Sequence, residues 1–229
     1  MKPKTLAKLL IDLFMTLLML LLMTYALVGE GLHEWLGVGM FALFIAHHLL
    51  NLSWHKNLAR GSYSASRAVG LALDVLVFIC MLCLIWSSVV LSRYVFAPLG
   101  ARGDIALARV LHLLGSYWGF VLMSVHLGLH WRMVTGILGR KNAAPKSAAR
   151  AWLLRISALA LSAFGLYAFI QNRLLDYLFF RTQFVFIDFS KPLWLALAEY
   201  LGIMTLFACC AYYAASALKK QKTRGSEKI

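Results

Sequence analysis

Acidic residues are scarce in this chain: nine Asp and Glu stand against 23 Lys and Arg in 229 residues, a formal charge of +14. Charge of either sign is thin, at 14% of residues against roughly a quarter in an average soluble domain. With 62% hydrophobic residues, there is too little polar surface to wrap a core this apolar in water. A soluble enzyme is excluded, and so is a disordered chain. Proline is limited to Pro3, Pro98, Pro145 and Pro192, all outside or at the edges of the apolar runs, so no long helix is interrupted. The short alternating segments of a transmembrane barrel are missing as well. Cysteine forms no framework. Cys80 and Cys83 make a C-x-x-C inside an apolar run with no following His, which excludes covalent c-type attachment, and the adjacent Cys209 and Cys210 are too strained to bridge.

What is present is length of apolar sequence. Six runs reach the ~20 helical residues that a bilayer core requires: Leu6 to Val28, Gly31 to Trp54, Ala68 to Ser92, Ile105 to Trp131, Ala151 to Ile170 and Leu193 to Leu218. The fold expected is all-α, a six-span transmembrane bundle forming a single integral domain over 1–229. The first run is too long for a signal-peptide core and no clear small-x-small site follows it, so it is read as a span. The basic residues set the orientation. Lys2, Lys4, Lys8, Lys56, Arg60, Arg67, Arg132, Arg140, Lys141, Lys146, Arg150, Arg155, Lys219, Lys220, Lys222, Arg224 and Lys228 share one side, seventeen against six on the other (Arg93, Arg102, Arg109, Arg173, Arg181, Lys191). The positive-inside rule then places both termini in the cytoplasm. The charge excess is a topology signal and predicts no nucleic-acid partner. The outer connection from Gln171 to Pro192 carries Tyr177, Phe179, Phe180, Phe184, Phe186 and Phe189, and is expected to lie on the membrane surface or to cap the bundle. Trp35, Trp54, Trp131, Trp152 and Trp194 fall near span ends, where an interfacial belt belongs.

Histidines concentrate in the second and fourth spans at a repeated interval. His33 and His47 are 14 residues apart, as are His112 and His126. Fourteen residues are close to four helical turns, so each pair shares a face, separated by roughly 21 Å along the axis. Spans two and four run in the same direction, so His33 lies level with His112 near the outer face and His47 level with His126 nearer the cytoplasm. Two opposed neutral imidazoles can ligate a haem iron, whereas zinc calls for three or four ligands including Cys or carboxylate, which neither tier offers in sequence. Gly37, Gly39, Gly115 and Gly119 give a flat macrocycle room near the backbone, although Gly115 and Gly119 also form the G-x-x-x-G of close helix packing.

Other residues are placed around this core. His47 keeps the register, and His48, rotated by about 100°, is the alternative ligand. His130, one turn below His126, suits a quinone, a proton path, a further haem or an alternative ligand, and His55 is solvated at the cytoplasmic edge. Haem propionates need basic partners: Arg109, Arg93 or Arg102 outside, and Lys56, Arg67 or Arg132 inside, with snorkelling to headgroups as the competing role. Asp12 and Asp74 are expected to pair locally with Lys8 and Arg67. Glu34 and Glu199 are candidates for the proton acceptor of an outer quinone site.

The segment His33-Glu34-Trp35-Leu36-Gly37, continuing to His47-His48-Leu49-Leu50-Asn51 and Trp54, resembles the first haem helix of the flavinylation-associated cytochromes, a bacterial membrane family. His112-Leu113-Leu114-Gly115 through His126-Leu127-Gly128-Leu129-His130-Trp131 is similar to its second. The resemblance covers 6–135, a diheme four-helix core, with 151–218 as two accessory helices. It implies a b-type cytochrome of the bacterial cytoplasmic membrane that binds two non-covalent haems. Electrons would pass between a quinol or cytoplasmic reductase and an extracytoplasmic flavin-carrying or other redox protein. The spacing also resembles the diheme core of cytochrome b and of ferric reductases, but no flavin- or nicotinamide-binding segment follows the last span. A self-contained quinone or ferric reductase, and a non-redox transporter or assembly factor, are the alternatives.

Overall fold

The computed structural model of the chain describes residues 3–58, 60, 64–100, 102–139, 147–186 and 188–226, with the backbone alone at 138–139 and 219–226. Lys2, Arg140, Lys141, Lys146 and Lys228, and the side chains of Lys219, Lys220, Lys222 and Arg224, therefore lie outside the described residues. Among the described residues every regular element is helical: α1 (Pro3–Met23), α2 (Tyr25–Val28), α3 (Glu30–Leu50), α4 (Leu52–Lys56), α5 (Ala65–Leu91), α6 (Ile105–Gly139), α7 (Ala148–Gln171), α8 (Leu174–Leu178) and α9 (Leu193–Ser226), with a 3-10 turn at Ala97–Leu99. α1, α5, α6, α7 and α9 are long and apolar enough to cross a membrane. The chain is thus a multi-spanning helical protein. The expected sixth span, α3, is 21 residues long but is not in that set, because His33, Glu34, His47 and His48 dilute its apolar content.

Helix boundaries follow local chemistry. α2 ends at Gly29, whose φ of 85° is open to glycine and strained for other residues, and the chain reverses there into α3. The Ser64 hydroxyl caps α5 by accepting the amide of Arg67 at 3.4 Å, and Asp104 Oδ1 accepts the amide of Leu107 at 3.0 Å where α6 begins. Glycine decides how closely the helices pack. A Cβ on Gly165 would run into the Gly202 backbone, and one on Gly128 into the Ala208 backbone, so α7 meets α9 and α6 meets α9 at small-residue crossings.

α6 is the central rod, with α5 on one side and α9 on the other, and α7 lies beyond α9. The core gathers Phe120, Val121, Ala168, Leu174, Ile203 and Met204 around Tyr117 and Tyr177, whose rings stack at 4.6 Å. α8 therefore caps the bundle, as one of the two expectations for that loop had it, and Trp118 Nε1 fixes it by donating to the Leu178 carbonyl at 2.8 Å. Beyond it Phe184, Phe186 and Phe189 are 73–78% exposed.

α1 and α3 form a second, looser unit. They pack closely on each other, while α3 buries no residue fully and meets α5 through Glu34 at its start and through Phe44 and His48, whose rings lie 5.7 and 5.4 Å from that of Phe78. The α3–α6 pair is not among the closely packed ones, so side chains rather than backbones meet across that space.

Candidate functional site: two histidine tiers

At the first tier the rings of His33 and His112 face each other across the α3–α6 space, with centroids 6.1 Å apart and planes at 64°. Ser87 on α5, fully buried, lies 3.2 Å from His112 Nδ1. Its hydroxyl proton goes to the Leu84 carbonyl at 3.1 Å, so Oγ accepts from Nδ1–H. That assignment leaves Nε2 of His112 as the lone-pair nitrogen. His33 packs edge-on against Tyr25, at 5.0 Å, and its buried Nδ1 has no hydrogen-bond partner. An orphaned buried nitrogen costs ~1–3 kcal/mol unless something completes it.

At the second tier each histidine is held by a carboxylate from a neighbouring span. His47 Nδ1 donates to Asp12 Oδ1 at 2.8 Å, and His126 Nδ1 donates to Asp74 Oδ1 at 2.9 Å. Both Nε2 atoms are left as donors to a metal, which is the carboxylate–histidine arrangement seen around metal centres. This overturns the local pairing expected of Asp12 and Asp74. Lys8 reaches across to Asn51 Oδ1 at 2.7 Å, and Asn51 Nδ2 donates to the His47 carbonyl at 2.9 Å. Arg67 caps the far end of α4 through the carbonyls of Asn57 and Leu58, at 2.8 and 3.3 Å. An aspartate that would be costly in lipid is better served by a donor at its own depth than by a lysine one turn nearer the surface.

His130 sits on His126, ring centroids 4.5 Å apart, and ligand atoms of Asp74, His126 and His130 lie within 4.8 Å of one another. The expectation that neither tier offers a carboxylate therefore fails at the second. Among the described residues no ring contact joins His47 to His126; His47 instead meets His48 at 5.6 Å. His48 Nδ1 lies 2.9 Å from His55 Nε2, so His55 is hydrogen-bonded rather than merely solvated, and His48 is committed away from the second tier.

The glycines divide. Gly37 has no heavy atom within 4 Å of a built Cβ and Gly39 only Leu18, whereas Gly115 and Gly119 face Leu84 and Cys80 of α5, the packing role. Arg109 is exposed one turn before His112, and Arg93 pairs with Glu30 at 3.3 Å. Neither glutamate is left free as a proton acceptor. Glu34 receives the Ser92 hydroxyl at 2.6 Å and the amides of Arg93, Tyr94 and Val95 at 2.7–3.1 Å, closing the end of α5. Glu199 is buried under Lys191 Nζ at 2.7 Å and Asn172 Nδ2 at 2.9 Å. Ser87, Asp12 and Asp74 are the site residues that sequence reasoning missed.

Comparison with family models, with curated proteins and with solved structures gives no match. The functional reading therefore rests on the geometry of the two tiers.

Proposed function

We propose that the chain is a membrane-embedded diheme b-type cytochrome, with His33 and His112 holding one haem and His47 and His126 the other. The observation that carries this reading is the first tier. Two imidazoles on one metal, each bonded at about 2 Å, put their ring centroids roughly 6 Å apart, and the His33–His112 separation is 6.1 Å. The free Nε2 of His112 and the open space at Gly37 fit the same group. Bound haem would supply one-electron transfer; the protein positions it and tunes it. Ser87, Asp12 and Asp74 fix the ring orientations, and Arg109 is the proposed propionate partner beside the first tier.

In this reading α3 is a sixth span, whose His33 and His47 face the haem cleft while Glu34 and His48 are bonded to neighbouring segments. Both termini are cytoplasmic, by the basic-residue distribution, and the membrane is a bacterial cytoplasmic membrane. Electrons pass between a quinol or cytoplasmic reductase and an extracytoplasmic flavin-carrying or other redox protein, with His130 beside the second tier as a quinone contact. A reduced-minus-oxidised visible spectrum with haem quantitation tests it. The expected result is two haems per chain, one of them lost in His112→Ala. A colourless protein purified from haem-replete cells overturns the reading, and an unchanged spectrum in His112→Ala overturns the first-tier assignment.

One observation favours a second reading at the second tier. Asp74, His126 and His130 supply the two-histidine, one-carboxylate set of a mononuclear divalent-metal site. Metal analysis separates the two: that reading requires one non-haem metal and a single haem.

A further inference from the structure

The two tiers differ in what stands behind their imidazoles, and this difference has a sign. At the second tier both Nδ1–H groups donate to carboxylates, at 2.8 and 2.9 Å. At the first tier one Nδ1 rests on the neutral Ser87 oxygen at 3.2 Å and the other has no partner. A carboxylate acceptor makes the imidazole a more basic ligand. Negative charge a few ångströms away also favours the more positive oxidation state of whatever metal the opposite nitrogen binds, and weak screening among membrane spans strengthens the effect.

We propose that Asp12 and Asp74 set the His47/His126 site at a lower reduction potential than the His33/His112 site, so the chain's own groups tilt the pair toward reduction at the outer tier. This rests on the diheme reading above and adds to it a direction, from the cytoplasmic tier outward.

The other charges near the tiers do not reverse the sign. Lys8 bonds Asn51, at 2.7 Å, and leaves the Asp12–His47 bond in place. Glu34 lies beside His33, but its carboxylate bonds one hydroxyl and three amides at the end of α5 and not the His33 ring, so it gives that imidazole no carboxylate acceptor. Glu30 is matched by Arg93 at 3.3 Å. Arg109, next to the first tier in sequence, adds positive charge on the side that the proposal makes the more easily reduced. Asp12 and Asp74 act through the histidines they hold, so they are positioning residues.

The test is a potentiometric titration of the purified, haem-loaded chain, followed by its visible spectrum. Two one-electron waves are expected, the lower removed by His47→Ala and the higher by His33→Ala. Asp12→Asn and Asp74→Asn should each raise the lower midpoint by a tenfold or larger change in its equilibrium constant, ~59 mV per decade for one electron, and leave the higher in place. Asp74→Glu should restore the original value. Asp74→Asn should also weaken haemin binding at that tier, by 10–100-fold. Asp12 has a side chain 46% exposed, so Asp12→Asn keeps the test in reach if Asp74→Asn does not accumulate. The proposal is overturned if both variants keep two haems and neither midpoint moves, or if the lower wave belongs to His33. A chain that binds no haem at all defeats the earlier reading instead.

Discussion

A carboxylate carried into a membrane span demands a donor that repays its lost hydration. Asp12 and Asp74 meet that demand with imidazoles from other helices, and each imidazole is thereby held in one tautomer with Nε2 left as its lone-pair nitrogen. Ser87 does the same more weakly for His112. Ser87→Ala should therefore weaken ligand binding at the first tier by 10–100-fold and leave the second untouched, read by haemin titration of each tier. Glu34→Gln should cost ~1–3 kcal/mol, because a neutral amide cannot serve three amides and a hydroxyl as a carboxylate does. Denaturant unfolding in detergent measures that loss. The meeting of His33 and His112 was legible in the sequence, since equal 14-residue intervals on like-directed helices are a strong pattern, whereas no ring contact among the described residues joins His47 to His126. Their supports were not legible, because Asp12 lies 35 residues from His47 and Asp74 lies 52 from His126. A depth count would have found them: Asp12 enters its span about as far as His47 stands from the end of the next, and the same holds for Asp74 and His126. Basic residues four and seven positions upstream, Lys8 and Arg67, are the nearer partners in sequence and compete with that match.

Helix length and apolarity gave five elements directly, and the structure keeps them close to the expected bounds. α3 is the informative exception. The residues that make it chemically interesting are the ones that lower its hydropathy, so the helix that carries half of each tier is the one that composition does not mark as a span. If α3 crosses the membrane, single cysteines placed at Leu32 and Leu49 will label from opposite sides with an impermeant thiol reagent. Labelling from one side would place α3 along the surface. The helix–helix crossings were legible only as a G-x-x-x-G motif, and the motif at Gly115 and Gly119 does pack on α5. The tighter crossing, Gly165 on Gly202, pairs single glycines on different helices, and no local pattern announces it. Gly165→Ala should destabilise the α7–α9 pair by ~1–3 kcal/mol, seen as a lower thermal midpoint in detergent.

For the whole molecule, the charge asymmetry predicts a sidedness that reporter fusions can read. A fusion before Met1 should be active only for a cytoplasmic reporter, and one inserted at Ser190 only for an extracytoplasmic reporter; the reverse pattern would invert the membrane orientation and with it the direction argued from Asp12 and Asp74. Long apolar exposure on α5, α7 and α9 needs no further partner than lipid, because hydrocarbon tails solvate leucine as well as a protein core does.

The weak junction between the α1–α3 pair and the α5–α6–α9–α7 slab bears on biogenesis. The slab carries most of the buried core and all of its glycine crossings, so it can consolidate as a scaffold while the hairpin is still ajar. A seam between two such parts opens sideways, onto acyl chains and not onto water. In the diheme reading, a flat, greasy guest dissolved in the bilayer would then slip in edgewise, and the bonds from Glu34 to Ser92, Arg93, Tyr94 and Val95 would latch the hairpin behind it.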